Sequence, residues 1–476
     1  DVAPSRGLGD VYKRQRGYNK MGKQKKDNEG RFIVEFPLSV EKYQADIIDK
    51  RLEIARRIYN QMLKKYKNIY KQMIQTKEYR NIISNLGIER KKRKTENKKT
   101  AAEKELYKQL NELYKHYGFT EFGMINMSYL QRKPYENHIT ATIASKIAQR
   151  LWSAWNRFLF MDGEEVHLAK YGEFNSVESN SPKAGILLKT NYKSKNGSWK
   201  GEKTVIVWSG LELPMKINQK KPYEIEALQH EIAYNRIVRK FVRGKNKYYV
   251  QIVFKGTPPV KYNDTGERKH SIGNGVVGIY VDTEKVFAVY KDQVFVHDLA
   301  DGVQSIEDDV AELQQRMDRS RRNMNPDNYN EDGTIKPYKD QHEWVYSSHY
   351  KQWKNLCKEL YRKQAAIRKQ QHYILANEIL KMGNCFYIQK IDYKKLQQRI
   401  SRQDMITAHK RSRKNQGKGI ANRAPSMFVE ILKQKALQSN LEVTIVEKNS
   451  CECPDILSND REKIHYALAL SGQTTC

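Results

Sequence analysis

The sequence predicts a multidomain protein of the α+β and α/β classes, with a helical N-terminal lobe that carries an antiparallel β-barrel and a C-terminal domain of mixed sheet. Three observations support this fold class. Helical apolar patterns dominate residues up to 161, short alternating runs dominate 165–260, and strands alternate with helices from residue 275 onward. The chain has 476 residues, 39% of them apolar, so several cores can be buried.

The net charge indicates an anionic partner. Lys and Arg number 87 against 55 for Asp and Glu, which gives a formal charge of +32. Nucleic acid is the first candidate for a surface this basic. No run approaches about 18 apolar residues and no secretory signal is visible, so we expect no membrane partner and a cytoplasmic location. Five scattered cysteines predict reduced thiols rather than a disulfide framework.

The N-terminal elements are assigned in chain order. Residues 1–30 are predicted to be a basic tail or an artefact that precedes the folded chain. The alternating run RFIVEFPLSV, from Arg31, is typical of a strand. Apolar residues then recur at spacings of four and three from Ile48 to Met73, which predicts an amphipathic helix.

Two more helices and a β-rich region complete the first lobe. Residues 88–117 combine a basic run with regularly spaced leucines, and 136–161 carry another apolar stripe, so both predict helices. The runs AGILLKT, KTVIVWSG and KYYVQIVFKG are typical of strands in an antiparallel sheet or barrel. We therefore expect residues 31–265 to form a β-barrel with a helical insertion, acting as a nucleic-acid-binding lobe.

Strands separated by helices predict the C-terminal domain. VVGIYVD, VFAVYKD and QVFVHDL are closely spaced strands, the first apolar enough to be buried on both faces. A helix through Val310 and Met317, a turn-rich loop and a helix through Trp353 and Ile367 form a long helical insertion. CFYIQKID and LEVTIVE predict further strands, and PSMFVEILKQKAL a helix with Pro425 in its first turn.

Two basic segments are candidates for phosphate contacts. The first is a cluster near the end of the helix through Met317, made of Arg316, Arg319, Arg321 and Arg322. The second is a predicted loop over 402–423 whose cations are Arg402, Lys410, Arg411, Arg413, Lys414, Lys418 and Arg423. A flexible basic loop can follow a phosphate backbone, and a solvated charged surface is the plainer alternative for both segments.

Residues from about 270 to 450 resemble the RuvC-like (RNase H-like) nuclease domain of TnpB proteins, the transposon-encoded RNA-guided nucleases related to type V CRISPR effectors. The matching strings are VVGIYVDTEKVFAV, LQQRMDRSRRNMNPDNYNEDGTIK, ELYRKQAAIRKQQHYILANEIL, YIQKIDYKKLQQR and ANRAPSMFVEILKQKAL. The resemblance implies a guide RNA and a target DNA as partners, with sequence read by base pairing. It implies a prokaryotic, nucleoid-associated location and leaves the oligomeric state open.

The sequence departs from the family at the catalytic positions. A two-metal nuclease brings several carboxylates together from distant strands. The family's first acid falls at Tyr280 and its second at Gln389, and neither side chain is negative at pH 7. Its third acid follows a zinc ribbon, whereas residues 451–476 form an atypical or truncated C-terminus in which CEC replaces paired cysteines. We therefore expect no metal site and no intact catalytic residue.

Three other acids are possible substitutes. Asp282 lies two residues beyond Tyr280, on the same face of a strand and about 7 Å further along. Asp392 lies three residues beyond Gln389, and Asp460 lies near the expected position of the third acid. The plainer alternatives are that Asp282 is a turn residue, Asp392 a solvated residue and Asp460 a helix cap. We predict a nuclease-dead RNA-guided DNA-binding protein. The alternative is an active RNA-guided DNA endonuclease using Mg²⁺, with substitute acids or sequence errors.

Overall fold

The computed structural model describes residues 30–92, 100–161, 163, 165–195, 197, 199–291, 293–393, 396, 416–446 and 459–472. These residues cluster into two compact units. The first unit contains residues up to 240 together with 246–256, and the second contains 241–245 together with residues from 257 onward. No helix within the described ranges is long and apolar enough to cross a membrane.

Helices dominate the early part of the first unit. They are α1 (Lys42–Gln75), α2 (Lys77–Lys92), α3 (Ala101–His116), α4 (Glu121–Arg132) and α5 (Ala141–Phe160). The predicted helix through Ile48 and Met73 is confirmed, and α1 buries its apolar side along 34 residues. The sequence pattern did not predict α4, because Phe122 and Leu130 are 72% and 66% exposed and blur its periodicity.

The strands of the first unit form open sheets. They are β1 (Arg31–Pro37), β2 (Ser176–Glu178), β3 (Ile186–Lys193), β4 (Glu202–Trp208), β5 (Leu211–Pro214), β6 (Ile232–Val242) and β7 (Lys245–Lys255), with a short helix α6 (Pro222–Ala227) before β6. One sheet has the order β1-β7-β6-β2 and the other β3-β4-β5, and neither closes within the described residues.

The predicted β-barrel is therefore wrong. Closing a barrel requires each edge strand to find a partner along its length. At one edge, β2 has only three residues. At the opposite edge, β1 ends at Pro37, which has no N–H to donate to a further strand.

The second unit contains a mixed five-stranded sheet. Its strands are β8 (Val276–Val281), β9 (Lys285–Tyr290), β10 (Gln293–Asp298), β11 (Cys385–Gln389) and β12 (Glu442–Val446), in the order β10-β9-β8-β11-β12. β8, β9 and β10 pair antiparallel, whereas β11 pairs parallel with both β8 and β12. This confirms the predicted mixed sheet and places β8 in its middle.

The helices of this unit are α7 (Glu307–Met324), α8 (Ser348–Leu380), α9 (Gln416–Arg423), α10 (Pro425–Gln438) and α11 (Asp460–Ser471). Several of them cover the two faces of the sheet, whereas α7 packs against α8. One face packs Val277 and Ile388 against α8 and α10, and the other packs against α11. The approach of α11 is so close that a Cβ on Gly278 would lie 1.9 Å from the carbonyl oxygen of Ala467. Only glycine permits this contact.

The connection between α7 and α8 is an ordered loop. Asn325 and Asn328 are 6% and 1% exposed. Asn325 accepts from the N–H of Val345 at 2.6 Å and donates to its carbonyl at 2.8 Å, and Asn328 makes an equivalent pair with the backbone of His342. Two buried amides thus hold the turn-rich segment in one conformation.

Candidate functional site

β8 and β11 carry the two positions at which the resemblance implies acids. The strands run parallel and pair Ile279 with Ile388, so Tyr280 and Gln389 follow at the same level of neighbouring strands. Both side chains are buried, at 0% and 5% exposed. Alternation along each strand directs both to the face that α11 covers.

Neither residue offers a negative charge to this face. The Tyr280 ring packs edge-on against Phe287 and Tyr466, with centroids 6.3 and 5.9 Å apart. Gln389 Oε1 is buried and has no hydrogen-bond partner among the described residues. Aromatic packing and a neutral amide therefore occupy the level of the sheet where the resemblance implies paired carboxylates.

Asp282 is a buried carboxylate at the end of the same strand as Tyr280. It lies two residues further along and is 8% exposed. Its Oδ2 accepts a hydrogen bond from Lys463 Nζ at 2.5 Å, and its Oδ1 accepts one from the Thr283 N–H at 2.7 Å. The carboxylate is thus already paired with an ammonium that is itself buried, at 7% exposed.

Asp460 reaches the same ammonium from the start of α11. Its Oδ1 lies 3.5 Å from Lys463 Nζ, and its Oδ2 accepts from Lys285 Nζ at 3.0 Å. The Lys285 hydrogen bond holds the pKa of Asp460 below its usual value. The helix-cap alternative is wrong, because the capping side chain is Asn459, whose Oδ1 accepts from the Glu462 N–H at 2.8 Å.

Lys463 is the functional residue that sequence reasoning missed. Its ammonium joins both substitute acids and lies 5.4 Å from the Phe287 ring centroid. The available signal was its spacing of four and three with Ala467 and Leu470, which are core-facing positions of α11. A lysine in such a series needs a buried carboxylate. We call Asp282, Lys285, Asp460 and Lys463 the acid–lysine cluster.

The acid–lysine cluster does not fit a pair of divalent metals. Its two carboxylates and two ammoniums leave no net charge, while Tyr280 and Gln389 are neutral. Hard cations need several anionic oxygens, and an ammonium in contact with Asp282 repels them. In the described part of the chain, no group of three or more His, Cys, Asp or Glu could hold a metal. Asp392, the remaining substitute, is exposed after β11.

Two arginines of the predicted phosphate cluster stabilise the ordered loop after α7. Arg321 and Arg322 both pair with Asp318. The Arg321 guanidinium lies 5.6 Å from the Trp344 ring centroid, and that of Arg322 lies 5.4 Å from the Tyr329 centroid. Ion pairing and stacking hold both side chains against the loop at the protein surface, where Arg321 is 30% and Arg322 is 51% exposed. Both charges are therefore partly compensated by Asp318.

The other two arginines of this cluster differ from each other. Arg316 pairs with Glu312 one turn earlier. Arg319 is exposed and has no carboxylate partner among the residues the structure describes. Arg319 therefore presents the least compensated charge of the four.

The second basic segment lies partly outside the described residues. Arg402, Lys410, Arg411, Arg413 and Lys414 belong to that part, as does the side chain of Lys418. The loop prediction is wrong for 416–423, which form α9, because Ile420 is 3% exposed and packs in the core. Arg423 ends this helix and donates to the Glu284 carbonyl at 3.3 Å.

No family model and no curated protein matches this chain. It is similar to the protein of the Cas12f1–sgRNA–target DNA complex, at 11% identity and a TM-score of 0.38, over 94% of this chain and 99% of that chain. It is also similar to the protein of the CRISPR–Cas12f ternary complex, at 12% identity and a TM-score of 0.26, over 92% and 83%. A third is AacC2c1 bound to sgRNA and extended non-target DNA, at 8% identity and a TM-score of 0.24, over 83% and 61%.

Proposed function

We propose that the protein is an RNA-guided DNA-binding protein resembling TnpB, with a RuvC-like domain that no longer holds catalytic metals. The observation that carries the loss of nuclease activity is the position of Lys463. Its ammonium lies 2.5 Å from Asp282 and 3.5 Å from Asp460, so the acids near Tyr280 already have a cation.

The charge balance supports this inactivity. Hydrolysis of a phosphodiester with two metals requires ligands that offset the charge of both ions while they bind the attacking and leaving oxygens. The acid–lysine cluster is neutral overall, so a divalent cation would gain little attraction there and would still lose part of its hydration shell. An active nuclease that used the substitute acids would therefore have two converging carboxylates, Asp282 and Asp460. Their negative charge is already offset by the two lysines, so it is not free to hold the metal ions.

Charge and sequence support the nucleic-acid partners. A chain with a formal charge of +32 gains affinity for RNA and DNA through the release of their counterions. The resemblance of the quoted strings to TnpB implies a guide RNA and a target DNA as the specific partners. The pairing of β8 with β11 agrees with this resemblance, because the two implied acid positions then lie on neighbouring strands. The guide would supply the sequence reading, and the protein a basic path for the backbones.

The test uses the full chain expressed together with the DNA that flanks its coding region. RNA that copurifies is sequenced, and duplex DNA matching the variable end of that RNA is offered with Mg²⁺ or Mn²⁺. We expect RNA-dependent retention of matched DNA, loss of retention with mismatched DNA, and no cleavage product. Binding that ignores the RNA sequence would overturn the guided function, and guide-dependent cleavage would overturn the nuclease-dead assignment.

A further inference from the structure

A basic groove lies within the first unit, between α5 and the strands β2 and β6. Its volume is about 390 Å³. Four cations line it, Lys146, Arg150, Arg157 and Arg236, against the single carboxylate of Glu178. We call it the α5 groove. No residue of the acid–lysine cluster or of the two basic segments contributes to it.

Three of the cations form a row along α5. Lys146, Arg150 and Arg157 are separated by four and seven residues, so they share one side of the helix. At 1.5 Å per residue the row is about 16 Å long. A stacked nucleic-acid strand rises by about 3.4 Å per nucleotide, so the row matches about five nucleotides.

These cations are held in place without being neutralised. The Arg150 guanidinium lies 4.4 Å from the Phe174 ring centroid, and Lys146 Nζ lies 4.9 Å from that of Tyr234. Arg157 Nε donates to a backbone carbonyl one turn back at 3.2 Å. None of the three has a carboxylate partner in the described ranges. Fixed, uncompensated charges lose less side-chain entropy when they bind an anion.

The one acidic residue of the groove is already occupied. Glu178 lies 2.5 Å from Arg236, whose guanidinium also donates to Gln251 Oε1 at 3.2 Å. This pair lies on the strand side of the groove and leaves the row on α5 positive. Hydroxyl groups of Ser153 and Ser176 also line the groove. The Ser153 hydroxyl donates to the Gln149 carbonyl at 2.9 Å and can still accept a hydrogen bond, and a serine hydroxyl such as that of Ser176 can accept or donate.

We propose that the α5 groove binds the sugar–phosphate backbone of a single RNA strand. The proposal rests on the proposed function and names where the first unit holds RNA. The three cations face phosphates within a stretch of about five nucleotides, and the serine hydroxyls meet the 2′-hydroxyl groups that distinguish RNA from DNA. The small volume admits one strand and not a whole duplex.

The test compares two variants of the full chain with equal loss of charge. The groove variant is Lys146→Gln, Arg150→Gln and Arg157→Gln. The control variant is Lys64→Gln, Lys65→Gln and Lys104→Gln, three exposed lysines of the same unit. Affinity for a uridine 20-mer is measured by fluorescence anisotropy at several salt concentrations. We expect the groove variant to bind at least tenfold more weakly and its salt slope to fall by about two, since each contact to a single strand contributes about 0.7.

The control should lose less than threefold. Equal losses in both variants would show that only net charge matters, and an unchanged groove variant would exclude the site. Arg157→Gln alone touches no ring contact, so it repeats the test if thermal melting shows that the triple variant is unfolded. A thymidine 20-mer that loses as much affinity as the uridine 20-mer would overturn the assignment to RNA. A parent chain that binds no RNA at any salt would instead remove the proposed function itself.

Discussion

Lys463 Nζ lies 2.5 Å from Asp282 Oδ2, and both side chains are buried where α11 meets the end of β8. Breaking such a pair costs far more than the pair contributes, because one charge is left buried without its partner. The pair therefore attaches α11 to the sheet.

Asp282→Asn is expected to destabilise the second unit by about 3–5 kcal/mol, since it leaves the Lys463 ammonium buried beside a neutral amide. Asp460→Asn is the matched control, and it should cost less than about 1 kcal/mol because that side chain is 50% exposed. Urea denaturation measures both. Adding Lys463→Met to Asp282→Asn should recover much of the loss, and equal costs for the two single variants would contradict a dominant buried pair.

Metal binding should require changes at three positions. We expect no Mn²⁺ binding to the parent by calorimetry, nor to Tyr280→Asp with Gln389→Glu, because Lys463 still neutralises Asp282. Adding Lys463→Ala should create detectable Mn²⁺ binding, since several carboxylates then share one face without an ammonium. Mn²⁺ binding by the double variant alone would contradict the role of Lys463. Guide-dependent cleavage by the parent that Asp282→Ala abolishes would instead establish Asp282 as a substitute acid.

Substitutions at Arg319 and Arg321 should have different effects, the first on RNA binding and the second on the stability of the fold. Arg319→Gln is expected to weaken RNA binding and leave the melting temperature unchanged, because its charge is uncompensated. Arg321→Gln should cost about 1 kcal/mol of stability through lost ion pairing and stacking on Trp344. Anisotropy and thermal melting are measured on both variants. A lower melting temperature for Arg319→Gln with unchanged binding would reverse the assignment.

His372 should make stability depend on pH. Burial lowers the pKa of His372 below its usual value of 6.5, and its Nε2 donates to the Arg423 carbonyl at 2.8 Å. A group with a depressed folded-state pKa contributes its full stability above the unfolded pKa, and this contribution falls as pH drops through the folded value. The parent should therefore lose stability from about pH 6.5 downward by more than His372→Gln. Parallel pH profiles of the two would contradict this.

Sequence patterns predicted the individual helices and strands better than they predicted whether the strands close into a barrel or which charged side chains pair. Near-continuous apolar runs identified β8 and β11 because both strands are buried on two faces, as the 0% exposure of Ile279 on one face of β8 and of Tyr280 on the other illustrates. Barrel closure depends on how far the edge strands pair, which no local pattern contains. The role of Lys463 was not predicted, because its partner Asp282 is 181 residues away in the sequence and only the packing of α11 on the sheet brings the two together. The α5 groove was not predicted either, because the aromatic ring that contacts Arg150 belongs to Phe174, on a different segment of the chain.

The packing around Tyr280 also limits how the chain can change over time. An aspartate at this fully buried position would face Phe287 and Tyr466, where a carboxylate has no hydration. Replacing Lys463 alone would leave the Asp282 carboxylate buried without a cationic partner. Each of these two single substitutions toward a metal site therefore passes through a less stable protein. Selection for a folded domain alone would therefore oppose each of these single substitutions.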